Sequence, residues 1–239
     1  MKIEDFIKIF EKYNSILELD LSDNQYNELY YYMNSLLEWN KKINVTSITD
    51  EKEFIEKHFI DSLTINKYLK NYNSIIDIGT GAGFPGIPLK IINKDKKITL
   101  IDSVGKKLKV IESINEELKL ENLEIIHIRA EELANNFSYR EKYDVTVSRA
   151  VSNISTLMEY MLPFVRVGGK AICMKGPNYE NELQDADKAI NILGGKIHKI
   201  EEIIINENMT RNIIIIKKIK ETPSKYPRKQ GKPLKEPIK

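Results

Sequence analysis

Apolar residues recur at helical spacing through the first third of the chain, then change to strand-like runs near residue 73. Ile3, Phe6, Ile7 and Phe10, with Tyr13 beyond them, mark one helix face. Asp20 to Asn24 is polar punctuation in which Ser22 is placed to cap the next helix. Tyr26, Leu29, Tyr30, Met33, Leu36 and Leu37 then form one apolar stripe. After a polar connection from Trp39 to Thr49, Asp50 and Glu53 have capping-box spacing, with Asp in place of the usual Ser or Thr. Phe54, His58, Phe59, Ser62, Leu63 and Leu69 share the face that follows, where His58 reads as a packing residue. Residues 1–72 are thus expected to be an N-terminal helical region.

From residue 73 strands and helices alternate. The predicted strands are 75–78, 98–101, 123–128, 144–148 and 171–174, with helices near 86–93, 106–119, 154–165 and 179–193. Gly168-Gly169 and Gly194-Gly195 are expected to stop helices. Lys196–Ile205 and Arg211–Lys217 have no helix between them and predict a hairpin. The expected class is α/β: a Rossmann-like, mostly parallel seven-stranded sheet ending in an antiparallel hairpin, the ending of an S-adenosylmethionine methyltransferase fold. A dinucleotide-binding protein would instead continue with a second βαβ half. Residues 73–220 make this domain. Residues 221–239 make a basic tail whose four prolines prevent a regular helix.

Candidate chemistry concentrates at Ile75–Gly86, where a buried strand breaks into Gly79, Gly81, Gly83 and Gly86 before a helix with Pro88 in its first turn. Glycines there let backbone approach a nucleotide-type ligand, and the helix start offers free N–H groups. Asp102 ends the second strand, 19 residues after Gly83, the spacing at which a carboxylate accepts hydrogen bonds from a ribose. NAD and S-adenosylmethionine both suit this constellation. Asp77 would repel a pyrophosphate yet help hold an ammonium group, which favours S-adenosylmethionine.

Composition narrows the setting. No apolar run approaches a membrane span and the N-terminus has no uninterrupted signal core, so a cytoplasmic protein without a membrane partner is expected. Cys173 is the single cysteine, which excludes an internal disulfide, and the three histidines are isolated, so no metal site is expected. The net charge is +2, but residues 217–239 hold nine Lys or Arg against two Glu, while the rest holds 28 basic and 33 acidic residues. A basic tail on an acidic body suits a polyanion partner as well as it suits a solubilising extension.

Two more loops fall on the ligand edge. Arg129-Ala130-Glu131-Glu132-Leu133 follows the third strand, where a polar pair can meet an adenine edge, and Arg149-Ala150-Val151 follows the fourth. The second loop lacks the Asn/Asp-Pro-Pro-aromatic tetrad of exocyclic-amine methylation, and Cys173 sits in an apolar strand, unsuited to covalent attack on a pyrimidine. An acceptor needing neither deprotonation nor covalent help remains. Guanine N7 has that property, as do other acceptors with a free lone pair, and catalysis would then be mainly positioning and electrostatics.

The chain resembles the glucose-inhibited division protein B family, the small-subunit (16S) ribosomal RNA guanine-N7 methyltransferases, over nearly its whole length from about Trp39. The resemblance rests on Trp39–Thr46, Lys57–Leu63, Asp77–Leu89 with its Phe84-Pro85-Gly86, Asp102-Ser103, Arg129–Leu133, Ser148–Val151, Lys175-Gly176 and Lys225–Pro233. Lys107, where arginine is common, and Val45, where leucine is common, depart from the pattern and are expected to lie outside the site. The family implies that Gly79, Phe84, Ala130, Glu131 and Arg149 contact the cofactor. Gly81 and Gly83 join them on the loop argument, and Asp102 on spacing. Arg149 is also the catalytic candidate, at the cofactor edge, because a direct hydrogen bond to N7 would mask the nucleophile. Lys225, Arg228, Lys229 and Lys232, with Tyr226 stacking on a base, are expected to engage small-subunit ribosomal RNA, free or in a particle. Removing the tail is expected to weaken RNA binding and leave cofactor binding intact. A monomer is favoured. The competing readings are a nicotinamide-dependent oxidoreductase and a non-catalytic RNA-binding assembly factor.

Overall fold

A computed structural model describes residues 1–149 and 152–238. Ala150 and Val151 of the fourth-strand loop lie outside the described residues. Seven strands form one sheet among them: β1 (Ser74–Ile78), β2 (Lys97–Asp102), β3 (Leu123–His127), β4 (Tyr143–Arg149), β5 (Val165–Lys175), β6 (Gly195–Asn206) and β7 (Met209–Lys218). Their order is β3-β2-β1-β4-β5-β7-β6. The first five run parallel, while β7 is antiparallel to both β5 and β6. The predicted hairpin ending is therefore present, in place of a second βαβ half.

Strand alternation feeds two cores. Ile75, Ile98, Leu100, Val145, Val147, Ile172 and Met174 point to one face, and Ile76, Ile101, Tyr143, Ala171 and Cys173 to the other. The run Ile213–Ile216 supplies both faces in turn. The first core is shared with α1 (Ile3–Glu11), α2 (Asn14–Leu17), α3 (Asp23–Asn40), α4 (Glu51–Phe54) and α5 (Asp61–Leu63). It also takes in α6 (Gly86–Ile92) and α7 (Gly105–Leu118). Ser22 and Gln25 form a reciprocal capping box on α3, and the Asp50 side chain accepts from the Glu53 N–H at α4. Between α4 and α5 the helix widens into a π-helical stretch, Ile55–Ile60; His58 within it and Asp61 directly after it are both buried.

The second core is covered by α8 (Ala130–Leu133), α9 (Ile154–Met161), α10 (Glu180–Ile192) and the C-terminal segment. Two expectations are corrected here. The helix predicted to reach Val165 ends at Met161 with a single 3-10 turn, and Gly168-Gly169 lie inside β5, where an irregular register with β4 absorbs them. A Cβ on Gly169 would meet the Asp144 carbonyl at 2.4 Å, and Gly168 has φ +89°, so close strand packing and a left-handed backbone position inside the strand, and no helix stop, explain that pair. Gly194 does follow a helix, with φ +91°.

The tail packs as a strap across α9. Tyr226 and Ile238 are buried in the second core. Arg140 donates to the carbonyls of Tyr226 and Thr222, Thr156 Oγ1 to that of Pro233, and Ser155 Oγ to that of Ile238. Arg228 forms a bidentate pair with Glu159 (Nη2–Oε2 2.7 Å), whose side chain is 1% exposed. A short helix, α11 (Lys232–Lys235), ends the strap.

Because Glu159 is buried, Arg228→Ala leaves a carboxylate without its counter-charge and is expected to cost about 3 kcal/mol, read as a lowered urea midpoint with an unchanged slope.

Candidate cofactor and substrate site

The carboxyl ends of β1 to β4 meet where the order reverses between β1 and β4, the crevice that open α/β sheets use for ligands. The glycine loop follows β1, and its shape is held from below by Asp77. Thr80 Oγ1 and the Gly86 N–H donate to Asp77 Oδ2 at 2.6 and 2.9 Å. Asp77 Oδ1 has no hydrogen-bond partner among the described residues. Burial pushes this carboxyl up to about 7, against the pull of the Thr80 and Gly86 bonds. A proton on Oδ1 leaves both bonds to Oδ2 intact, so the loop anchor survives in either form. Asp77 is fully buried, and in this structure its carboxyl shapes the loop.

The four glycines divide by task. Gly79, Gly81 and Gly83 have φ of 72, 59 and 84°. A Cβ at Gly81 would meet nothing within 4 Å and would project into open space. At Gly83 it would lie 2.4 Å from the hydroxyl of Tyr32, a buried α3 residue that itself donates to Ala82. At Gly86 it would press on Leu100 and Asp77. Gly83 therefore serves the packing of the loop on the N-terminal helices and is not among the residues bounding either hollow.

Two hollows open on either side of the loop and share Gly79, Gly81, Lys107 and Arg149. The first, about 380 Å³, is bounded by Asp102, Ala130, Glu131, Tyr160 and Leu234. The second, about 570 Å³, is bounded by Thr46, His58, Thr80 and Phe84. Of the expected cofactor residues, Gly79, Gly81, Asp102, Ala130, Glu131 and Arg149 line the first hollow, and Phe84 the second. Asp102 Oδ2 accepts from the Gly81 N–H at 2.8 Å, tying β2 to the loop. Lys107 lines both hollows and Val45 the second. Both were expected outside the site. Lys107 reaches it because α7 starts three residues after β2 ends. A larger hollow of about 710 Å³ lies between α3 and the end of α7 and touches none of these residues.

Arg149 joins the two hollows. Its guanidinium donates to Asp61 Oδ2 (3.0 Å), to the Lys57 carbonyl (2.8 Å) and to His58 Nδ1 (3.1 Å), and lies 5.3 Å from the Phe84 ring centroid. The guanidinium has no acceptor capacity, so His58 Nδ1 accepts, and Nε2 then carries the proton and donates to Thr46 Oγ1 (2.9 Å). Burial and the nearby guanidinium push the imidazole down to about 3. His58 stacks on Phe84 at 4.3 Å with the rings 5° from parallel. Asp61, 1% exposed, also accepts two bonds from Arg211 on β7. The sequence reading treated His58 as packing only and missed Asp61 and Arg211. The available signal was a charged residue, Asp61, within an otherwise buried helical run.

Among the described residues no group of His, Cys, Asp or Glu has metal-site geometry, and no helix is long and apolar enough to cross a membrane. Cys173 is buried, which pushes its thiol up to about 12 and leaves it inert as a nucleophile.

A cleft at the sheet switch point, a glycine loop after β1 and a carboxylate ending β2, with a β7–β6 hairpin closing the sheet, define the class: a Rossmann-like methyltransferase fold. Solved structures with this fold include a magnesium protoporphyrin IX methyltransferase from Synechocystis with bound S-adenosylmethionine (TM-score 0.54, 14% identity, 82% of this chain and 97% of that one). Another is an S-adenosylmethionine-dependent O-methyltransferase from Thermotoga maritima (TM-score 0.52, 16% identity, 78% and 72%). The family model for rRNA small subunit methyltransferase G (GidB) matches residues 25–221, and the chain belongs to that family. Its relatives named ribosomal RNA small subunit methyltransferase G include one from Alkaliphilus oremlandii, 50% identical over 228 residues (93% of this chain, 95% of the relative). Another is from Clostridium botulinum, 47% identical over 238 residues (98% and 100%).

Two outcomes follow from this geometry. Gly83→Ala is expected to destabilise the fold by about 3 kcal/mol through overpacking and left-handed strain, against about 1 kcal/mol for Gly81→Ala, by urea denaturation. His58 is held below its unfolded value, so its contribution to stability is complete above about pH 6.5 and is lost as pH falls toward 3. The wild type should lose stability faster than His58→Asn across that window.

Proposed function

We propose that this chain transfers a methyl group from S-adenosylmethionine to N7 of a guanine in small-subunit ribosomal RNA. The observation that carries the reading is the meeting of two hollows at Arg149, inside a fold and family of ribosomal RNA methyltransferases. The residues of the first hollow fit an adenosine ligand. Asp102 offers carboxylate oxygens at the end of β2, Ala130 and Glu131 offer an edge beyond β3, and open space over Gly81 gives backbone access. Bound there, S-adenosylmethionine supplies an activated methyl group.

The second hollow suits a planar base whose reacting atom needs no proton removed. His58 is uncharged, but its Nδ1 lone pair is occupied by Arg149. Asp61 is spent on two arginines, and Arg149 cannot accept a proton. Neither His58 nor Asp61, the side chains bonded to Arg149 among the described residues, is thus free to act as a base. What these residues provide is placement: Asp61, His58 and the Lys57 carbonyl hold the guanidinium at the junction, against Phe84.

Lys225, Lys229 and Lys232 face solvent on the strap and are the RNA contacts we retain. Tyr226 is buried and Arg228 is paired with Glu159, so neither is free to meet RNA as expected from the sequence. With the ribosome as the site of the substrate, the cytoplasm is the compartment.

Mass mapping of small-subunit RNA from cells lacking the protein should show one N7-methylguanosine missing, restored by the wild type and not by Arg149→Ala. An unchanged nucleoside map refutes the proposal. Changing Lys225, Lys229 and Lys232 together to Ser should weaken RNA binding and flatten its salt dependence by about two units of log–log slope.

A further inference from the structure

We infer that the C-terminal strap is a wall of the cofactor cleft and that Leu234 closes over the nucleoside end of the ligand. This rests on the cofactor reading above. Leu234 lines the first hollow together with Asp102 and the β3-loop residues Ala130 and Glu131, yet it is 62% exposed. A large apolar side chain on the wall of a cleft that also holds Ile78, Ile101 and Ile128, with most of its own surface wet, is placed to be covered by something flat and apolar, as an adenine face is.

The strap around it is fixed. Gly231, at φ +74°, donates its N–H to Glu131 Oε1 at 3.0 Å, so the strap also holds the carboxylate proposed to meet the adenine edge. Pro233 is buried and its carbonyl accepts from Thr156 on α9. Leu234 thus projects from an anchored backbone, with little ordering left to lose when a ligand arrives. The outer side of the same strap carries Lys225, Lys229 and Lys232, so the inner and outer faces have separable tasks. Loss of the whole tail cannot spare cofactor binding, contrary to the expectation from sequence.

The test is calorimetry with S-adenosylhomocysteine and with 5′-methylthioadenosine, on the wild type, Leu234→Ser, Leu234→Met and the triple lysine variant. Leu234→Ser is expected to weaken both ligands by roughly five- to twenty-fold, from the apolar area that stays wet. Leu234→Met is expected to retain affinity, and the lysine variant to bind both ligands as the wild type does. Exposure of Leu234 means the substitution should leave the thermal midpoint unchanged, which calorimetric scanning checks. Equal binding of both ligands by the wild type and Leu234→Ser overturns the inference alone. So does a loss confined to S-adenosylhomocysteine, or an equal loss in Leu234→Met. Absence of S-adenosylhomocysteine binding by the folded wild type overturns the cofactor reading itself.

Discussion

The buried carboxylate of Asp77 sets the geometry on which the site depends. One oxygen gathers Thr80 and the Gly86 N–H, which fixes where the chain leaves β1 and where α6 begins. A loop with positive φ at three glycines has many alternatives when free, and glycine loses the most conformational freedom on folding. Two short hydrogen bonds in a dry environment select one of them. The Asp102 bond to Gly81 then fastens the loop to β2, so two acids of different burial define one cradle.

Arg149 depends on a second buried acid in a different part of the fold. Asp61 comes from the N-terminal helices, Arg149 from β4 and Arg211 from the hairpin. Losing both arginines would leave Asp61 an unpaired buried charge, and losing one would leave it half-matched. The N-terminal helices therefore do more than cover the sheet. They bring His58 and Asp61 to the junction, and Tyr32 to the underside of the glycine loop. His58 lies within the π-helical stretch Ile55–Ile60 and Asp61 follows it directly, three residues on along the same helical run.

What was legible in the sequence was whatever local periodicity and spacing encode. The β1–loop–α6 unit, Asp102 at the end of β2, the closing hairpin and the Ser22 cap all follow from neighbours within about 20 residues. Contacts made at long range were not legible. Gly83 resembles a ligand-facing glycine until Tyr32, 51 residues earlier, is found against it. Gly169 resembles part of a helix stop until the β4 backbone is seen to need the space. The tail advertises charge, while its packing residues, Tyr226, Pro233 and Ile238, have no regular spacing to betray an inner face.

The position of β7 imposes an order on assembly. It separates β6 from β5, so β6 has no strand to join until residues 209–218 have been made. A growing chain can lay down the five parallel strands in sequence, but must hold β6 unpaired while its partner is still being synthesised. Arg211, which completes the clamp on Asp61, arrives on that same late strand. The junction between the two hollows thus becomes electrostatically complete only as the sheet itself does, and a partly made chain carries the glycine loop without the finished seat for Arg149.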